Sequence, residues 1–163
     1  MSPNEDRPHV LVLPEDDANR QLANGFHLRV DWDCNRQMQV LRSAGGWHKV
    51  LDVFKAKHVS DMKRCTKRFM VLLIDFDKKT GRLDEAKAAI PEYLADRVFI
   101  LGVWSEPEKL PADLGSYESL GAKLASDCRE EIDATWQHTL LRHNAGELDR
   151  LRQHARPILF PSL

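Results

Sequence analysis

The chain has 163 residues, 42% hydrophobic and 30% charged, with a formal net charge of −1 at pH 7. That size suits one domain with a core of ordinary dimensions, and the balance excludes a disordered or collagen-like chain. No run approaches the roughly 18 consecutive apolar residues that a membrane span needs. The start, Met-Ser-Pro-Asn-Glu-Asp-Arg-Pro, is polar and acidic rather than a secretory leader, so a cytoplasmic protein without membrane association is expected.

Residues 9–13 form a continuous apolar run that ends in Pro14-Glu15-Asp16-Asp17. Runs of strand length without alternation suit strands covered on both faces, as in a parallel sheet. Ala18, Leu22 and Phe26 then recur at four-residue spacing and predict a helix. Asp16 or Asp17 can cap that helix and favour its dipole, which accounts for one or two of the three acids. Asp31-Trp32-Asp33 sits in a polar connection and reads as a loop. Residues 38–42 alternate, as a less buried strand at a sheet edge would.

After Gly45-Gly46, the residues Trp47, Val50, Leu51 and Phe54 mark the apolar face of a second helix. Around it the charge is uneven. Lys49, Lys55, Lys57, Lys63, Arg64, Lys67 and Arg68 stand against Asp52 and Asp61, a local +5. Such a patch can bind a polyanion, or it can simply be the solvated face of a helix.

Residues 69–74 are the most hydrophobic run and end in Asp75-Phe76-Asp77. Alternate residues of a strand share a face, so this spacing predicts Asp75 and Asp77 together on one side, with Phe76 packed on the other. Residues 82–97 read as a helix that Pro91 kinks or splits. Residues 98–103 are a third continuous run, followed by Ser105-Glu106-Pro107-Glu108. Beyond them, Tyr117, Leu120, Gly121, Leu124 and Cys128 fall on one helix face. Asn144 and Glu147 have the spacing of a capping box for a last helix that runs to Pro157.

The order β-α-β-α-β-α-β predicts an α/β fold: a doubly wound, mainly parallel four-stranded sheet with a helical C-terminal extension. The chain reads as a single domain over 1–163, with its core in 9–103 and the extension in 104–163. Cys34, Cys65 and Cys128 are odd in number and widely spaced, which predicts reduced thiols. There is no P-loop, G-x-G-x-x-G or Ser/His/Asp order.

In an open α/β sheet the carboxyl ends of the strands meet at one edge, where ligands bind. Acids from two such ends repel one another unless a cation lies between them. Oxygen-only ligands point to Mg²⁺, or Mn²⁺ in its place. A glutamate after the first strand, a long α/β interval and a D-x-D closing a later strand resemble a Toprim domain, the catalytic module of topoisomerases, bacterial primases and OLD-type nucleases. The resemblance covers 9–103 and rests on Glu15, Asp75 and Asp77, although Asp16 stands where that family has glycine.

The resemblance implies a Mg²⁺-dependent nuclease or nuclease subunit acting on nucleic-acid phosphodiester bonds, with a partner ATPase or DNA-binding protein. It implies a general acid/base role for Glu15 and metal binding for Asp75 and Asp77. Glu106 or Glu108 would serve a second ion, and Asp16 is a further candidate ligand. Pro14-Glu15-Asp16-Asp17 also resembles the start of a response-regulator receiver, with Asp16 and Asp17 for Mg²⁺, Asp75 for phosphorylation and Ser105 as the switch hydroxyl. A third reading is a non-catalytic α/β module that binds a partner through its helical end.

Overall fold

The structure is a computed structural model that describes residues 2–105 and 107–161. Four parallel strands form one sheet in the order β2-β1-β3-β4. They are β1 (His9–Pro14), β2 (Met38–Val40), β3 (Arg68–Leu73) and β4 (Val98–Leu101). The register pairs Val10 with Met38 and Phe69, and Met70 with Val98. The three continuous apolar runs thus fill the three strands β1, β3 and β4, and the alternating run stands at the β2 edge.

Because successive side chains point to opposite faces, the strands feed two separate cores. Val10, Val12, Val71, Leu73, Phe99 and Leu101 pack on one face beneath three helices, α1 (Asp17–His27), α6 (Tyr117–Glu130) and α7 (Ala145–Leu159). Leu11, Leu13, Met70, Leu72, Val98 and Ile100 pack on the other, against α2 (Trp47–Val53), α3 (Val59–Arg64) and α4 (Thr80–Ala89). Burying one such side chain contributes about 1.5–3 kcal/mol. Covered on both faces, the sheet is the doubly wound arrangement that the sequence predicts. A short helix, α5 (Lys109–Leu114), links the end of β4 to α6.

Pro91 splits the 82–97 segment, as its missing N–H requires: α4 ends at Ala89 and a 3₁₀ turn runs over Glu92–Arg97. Between α2 and α3 the chain stays helical through a wide π turn, Phe54–His58, in which the Val59 N–H reaches the Phe54 carbonyl. The buried residues Phe54, His58 and Met62 are spaced by four, a pattern that drifts about 40° per step around an α-helix. The wider turn takes up that drift and keeps all three inward.

Helices α1 and α6 cross at two glycines. A Cβ on Gly25 would lie 1.9 Å from the Glu118 carbonyl oxygen, and one on Gly121 would lie 1.9 Å from that of Leu22. Only bare backbone fits. The crossing sets Arg129, near the end of α6, 3.1 Å from Asp31 just beyond α1.

The capping-box expectation is corrected. Asn144 holds the cap position of α7 but makes no side-chain cap bond. It and Glu147 turn instead to β4, where Glu147 Oε2 accepts the Ile100 N–H at 2.9 Å and Asn144 pairs with Gly102. The last helix also continues through Pro157 to Leu159 rather than stopping at the proline.

Candidate functional site

β1 and β3 are neighbours, so the two acidic strand ends are adjacent. The Glu15 N–H continues the ladder to the Leu73 carbonyl at 2.8 Å, which brings residues 15–16 level with 74–75. From β1 the chain goes first to β2 on one side and only later to β3 on the other. The crevice at such a reversal is where open α/β sheets bind ligands.

Glu15 Oε2 accepts the backbone N–H of Asp75 at 2.7 Å, locking the two strand ends together. The Glu15 carbonyl receives the N–H groups of Gly45 (2.8 Å) and Gly46 (3.2 Å). Both glycines have positive φ, 94° and 149°, as this tight approach demands. Asp16 caps α1, its Oδ1 accepting the Asn19 N–H at 2.9 Å, a bond worth about 1 kcal/mol. The Asn19 carboxamide, buried beneath the helix, donates to Asp75 Oδ1 at 3.3 Å.

This crowding shows in the proton affinities. Burial, then the charges of Asp16 and Glu15, push the Asp75 carboxyl up to about 7, with a hydrogen bond to Asp16 adding to the effect. Two carboxyls this close favour one shared proton over two charges. Burial also raises Glu15 above its ordinary value, against the pull of the Asp75 N–H. A carboxyl poised near neutrality suits proton transfer, and a divalent ion beside it would favour the charged form.

Asp77 departs from its predicted position. β3 ends at Leu73 and Asp77 is left-handed, with φ 50°, so the alternation that would align it with Asp75 is lost. Its carboxylate is 65% exposed and lies 3.8 Å from Lys79 Nζ and 3.5 Å from Arg82 Nη2. Phe76 is buried, as expected. Glu106 lies outside the described residues. Glu108 is exposed beyond Tyr117, whose hydroxyl is raised by burial and then by Glu108, Asp16 and Asp75. Ser105 is buried just past β4.

Of the cationic stretch, Lys49, Lys55, Lys57, Lys63, Arg64 and Lys67 are exposed along α2, the π turn, α3 and the turn into β3. Arg68 is not part of that surface. It is 5% exposed, donating from Nε to His9 Nε2 at 3.1 Å and pairing with Glu5 at 2.7 Å. As the first residue of β3 it points inward, where a lone guanidinium must be partnered.

Three contributors to the site were not anticipated from sequence. Asn19 stands three residues after a capping aspartate, a spacing that sequence reading can single out. Arg82 donates to the Asp75 carbonyl at 2.5 Å, and Tyr117 arrives with α6. Arg82 is close in sequence, seven residues from Asp75 at the start of α4, whereas Tyr117 meets the acids only through tertiary packing.

No family model, curated protein or solved structure matches the chain. Among the described residues, no three His, Cys, Asp or Glu side chains are grouped to hold a metal ion. Glu15, Asp16 and Asp75 nevertheless bring carboxyl oxygens to one crevice, with the Arg82 guanidinium offsetting part of the charge at Glu15. That set fits a cation bound through one or two carboxylates, with water and substrate phosphate as the other ligands, the usual way Mg²⁺ is held. No helix among the described residues is long and apolar enough to cross a membrane.

Proposed function

We propose that this chain is a Mg²⁺-dependent, Toprim-like protein acting on phosphodiester bonds in nucleic acid, as a nuclease or the catalytic subunit of one. The observation that carries this reading is the meeting of Glu15, Asp16 and Asp75 at the β1/β3 crevice, with Asp75 pushed to about 7. Burial is the larger cause of that rise and the charges of Asp16 and Glu15 the smaller, and a cation beside the three carboxyls would relieve the second.

Mg²⁺ would supply charge stabilisation at the phosphoryl oxygens and an activated water. Asp75 and Asp16 are the carboxylates that would hold it. Glu15, fixed by the Asp75 N–H and raised by burial, is placed to take or return a proton. The exposed lysines from Lys49 to Lys67 would neutralise backbone phosphates, and a partner ATPase or DNA-binding protein would extend the grip beyond so small a chain. A cytoplasmic setting fits that role.

Cleavage of DNA and RNA by the purified chain in Mg²⁺ tests the reading. The Asp75→Ala/Asp77→Ala variant is expected to lose the activity, and Glu15→Gln to lose roughly 10²–10⁴-fold. Mg²⁺-dependent cleavage that survives the double change would overturn the assignment.

Ser105, buried past β4, also suits the receiver-like reading, in which acetyl phosphate would label Asp75. That reading needs a fifth strand beside β4. Among the described residues there are four strands, and α7 side chains occupy that edge, which favours the first reading.

A further inference from the structure

The two edges of the sheet are finished differently. At the β4 edge, Asn144 and Glu147 from the start of α7 take backbone groups of Gly102 and Ile100. The β2 edge has no such cover among the described residues. The Leu41 N–H bonds the Val12 carbonyl at 2.9 Å, so Gln39 and Leu41 turn their backbone groups inward to β1. Met38, Val40 and Arg42 therefore turn theirs outward. Asn4 donates to the Arg36 carbonyl just before the strand, at 3.1 Å. Among the described residues, no hydrogen bond reaches the outward groups of Met38 or Val40.

This open edge is also a groove with a basic rim. Asn24 and His27 of α1 form one wall, and with Arg36, Gln39 and Val40 they line a space of about 220 Å³. Arg20 shares the helix face of Asn24 and His27, at i, i+4 and i+7. Arg36 and Arg42 stand at the two ends of the strand. All three arginines are exposed, and none is ion-paired among the described residues. Over residues 17–42 the exposed acids are Asp17 and Asp33 alone. An unpaired backbone edge flanked by cations matches an extended chain that carries acids. A second copy does not match, because pairing β2 with itself sets the arginines of both copies along one seam.

We propose that the β2 edge is a docking site for an acidic, extended segment of a partner protein, which joins the sheet as a further strand. Its backbone pairs with the outward groups of Met38, Val40 and Arg42, a length of about five residues. Alternate side chains of the added strand fall on the α1 side. Acids at those positions meet Arg20, Arg36 and Arg42. The docking needs no ion at the acidic crevice and no rearrangement of the chain.

The test is fluorescence anisotropy of the full chain with a fluorescein-labelled hexapeptide of alternating Glu and Val. The wild type should bind it and should not bind the Lys/Val counterpart. Arg36→Glu with Arg42→Glu should weaken the acidic peptide by about tenfold or more and admit the lysine one. Val40→Pro removes one outward N–H without touching the pairing to β1, and should weaken binding similarly. N-methylation of the peptide covers the case in which the proline variant does not fold. Methyls on one alternate set of amides should abolish binding, and on the other set should leave it intact. No binding by the wild type overturns the site. Equal binding of both methylated peptides shows contact through charge alone and overturns it too. Self-association of the chain that the peptide reverses, seen by light scattering, gives the edge to a second copy and overturns the choice of partner.

Discussion

The carboxamide of Asn144 pairs with both backbone groups of Gly102, accepting its N–H at 3.0 Å and donating to its carbonyl at 2.9 Å. One side chain from the start of α7 thus imitates the next strand of the sheet. Glu147 repeats the device one turn on, at the Ile100 N–H. Gly102 admits no substitute, since a Cβ there would lie 1.5 Å from the Ile74 carbonyl oxygen. The edge that an open sheet exposes to another chain is closed from within.

Asn144→Ala leaves the Gly102 N–H buried without a partner and removes one donor from its carbonyl, and should cost about 1–3 kcal/mol in urea unfolding. Glu147→Gln, which keeps an acceptor for Ile100, should cost less. Concentration-dependent association of the alanine variant, seen by light scattering, would follow from the reopened edge. An alanine variant as stable as the wild type would show that α7 does not cap the strand.

Stability without metal should peak near neutrality. The Asp75 carboxyl sits at about 7 in the fold against an ordinary 3.8. The folded state therefore holds that proton more tightly, and stability falls as pH rises from about 4 to 7. His58 and His143 act in the opposite sense: burial lowers each to about 4 from 6.5. Their contribution is lost as pH falls from about 6.5 towards 4. With two histidines against one aspartate below 6.5, the maximum should lie near pH 6.5.

Asp75→Asn removes the alkaline limb and should be more stable than the wild type at pH 8, by about 1–3 kcal/mol. Denaturant titrations at pH 5, 6.5 and 8 in chelator check both points. Millimolar Mg²⁺ should then stabilise the wild type at pH 8 and leave Asp75→Asn unaffected. Equal stabilities of the two proteins at pH 8 in chelator would contradict the crowding of Glu15, Asp16 and Asp75.

Arg68 and its exposed neighbours should separate cleanly in two assays. Lys55→Glu with Lys57→Glu should weaken binding to labelled single-stranded DNA. It should also lower the slope of log K against log salt by roughly one for each phosphate contact removed. Arg68→Ala should leave that slope unchanged. It leaves the His9 ring without that buried partner, while half-exposed Glu5 returns to solvent, and should cost about 1–3 kcal/mol of stability. A flatter salt dependence in Arg68→Ala at full stability would return that residue to the surface.

Much of the fold is legible in the sequence because burial on both faces of a parallel sheet writes itself as continuous apolar runs. Residues 9–13, 69–74 and 98–103 are such runs, and each lies within one residue of where its strand begins. Pro91 is legible for a local reason too, since its missing N–H favours a helix end there, although Pro157 lies inside α7. Asn144 and Glu147 show the limit. Their spacing is that of a capping box, but whether a side chain serves its own helix or a neighbouring strand depends on what lies across from it.

The acidic edge divides in the same way. That Glu15, Asp16 and Asp75 end strands is a property of the chain, decided by hydrophobic pattern and the acids that stop it. That they meet is decided by strand order, because β1 and β3 lie side by side only through a crossover of 53 residues between Pro14 and Arg68. Which oxygens face the crevice is decided later still. Asp77 turns outward because the strand stops at Leu73 and its backbone is left-handed, with Arg82 of the following helix against the turn. Local pattern sets which groups are available, and only long-range packing sets their distances, on which charge coupling and ligand geometry depend.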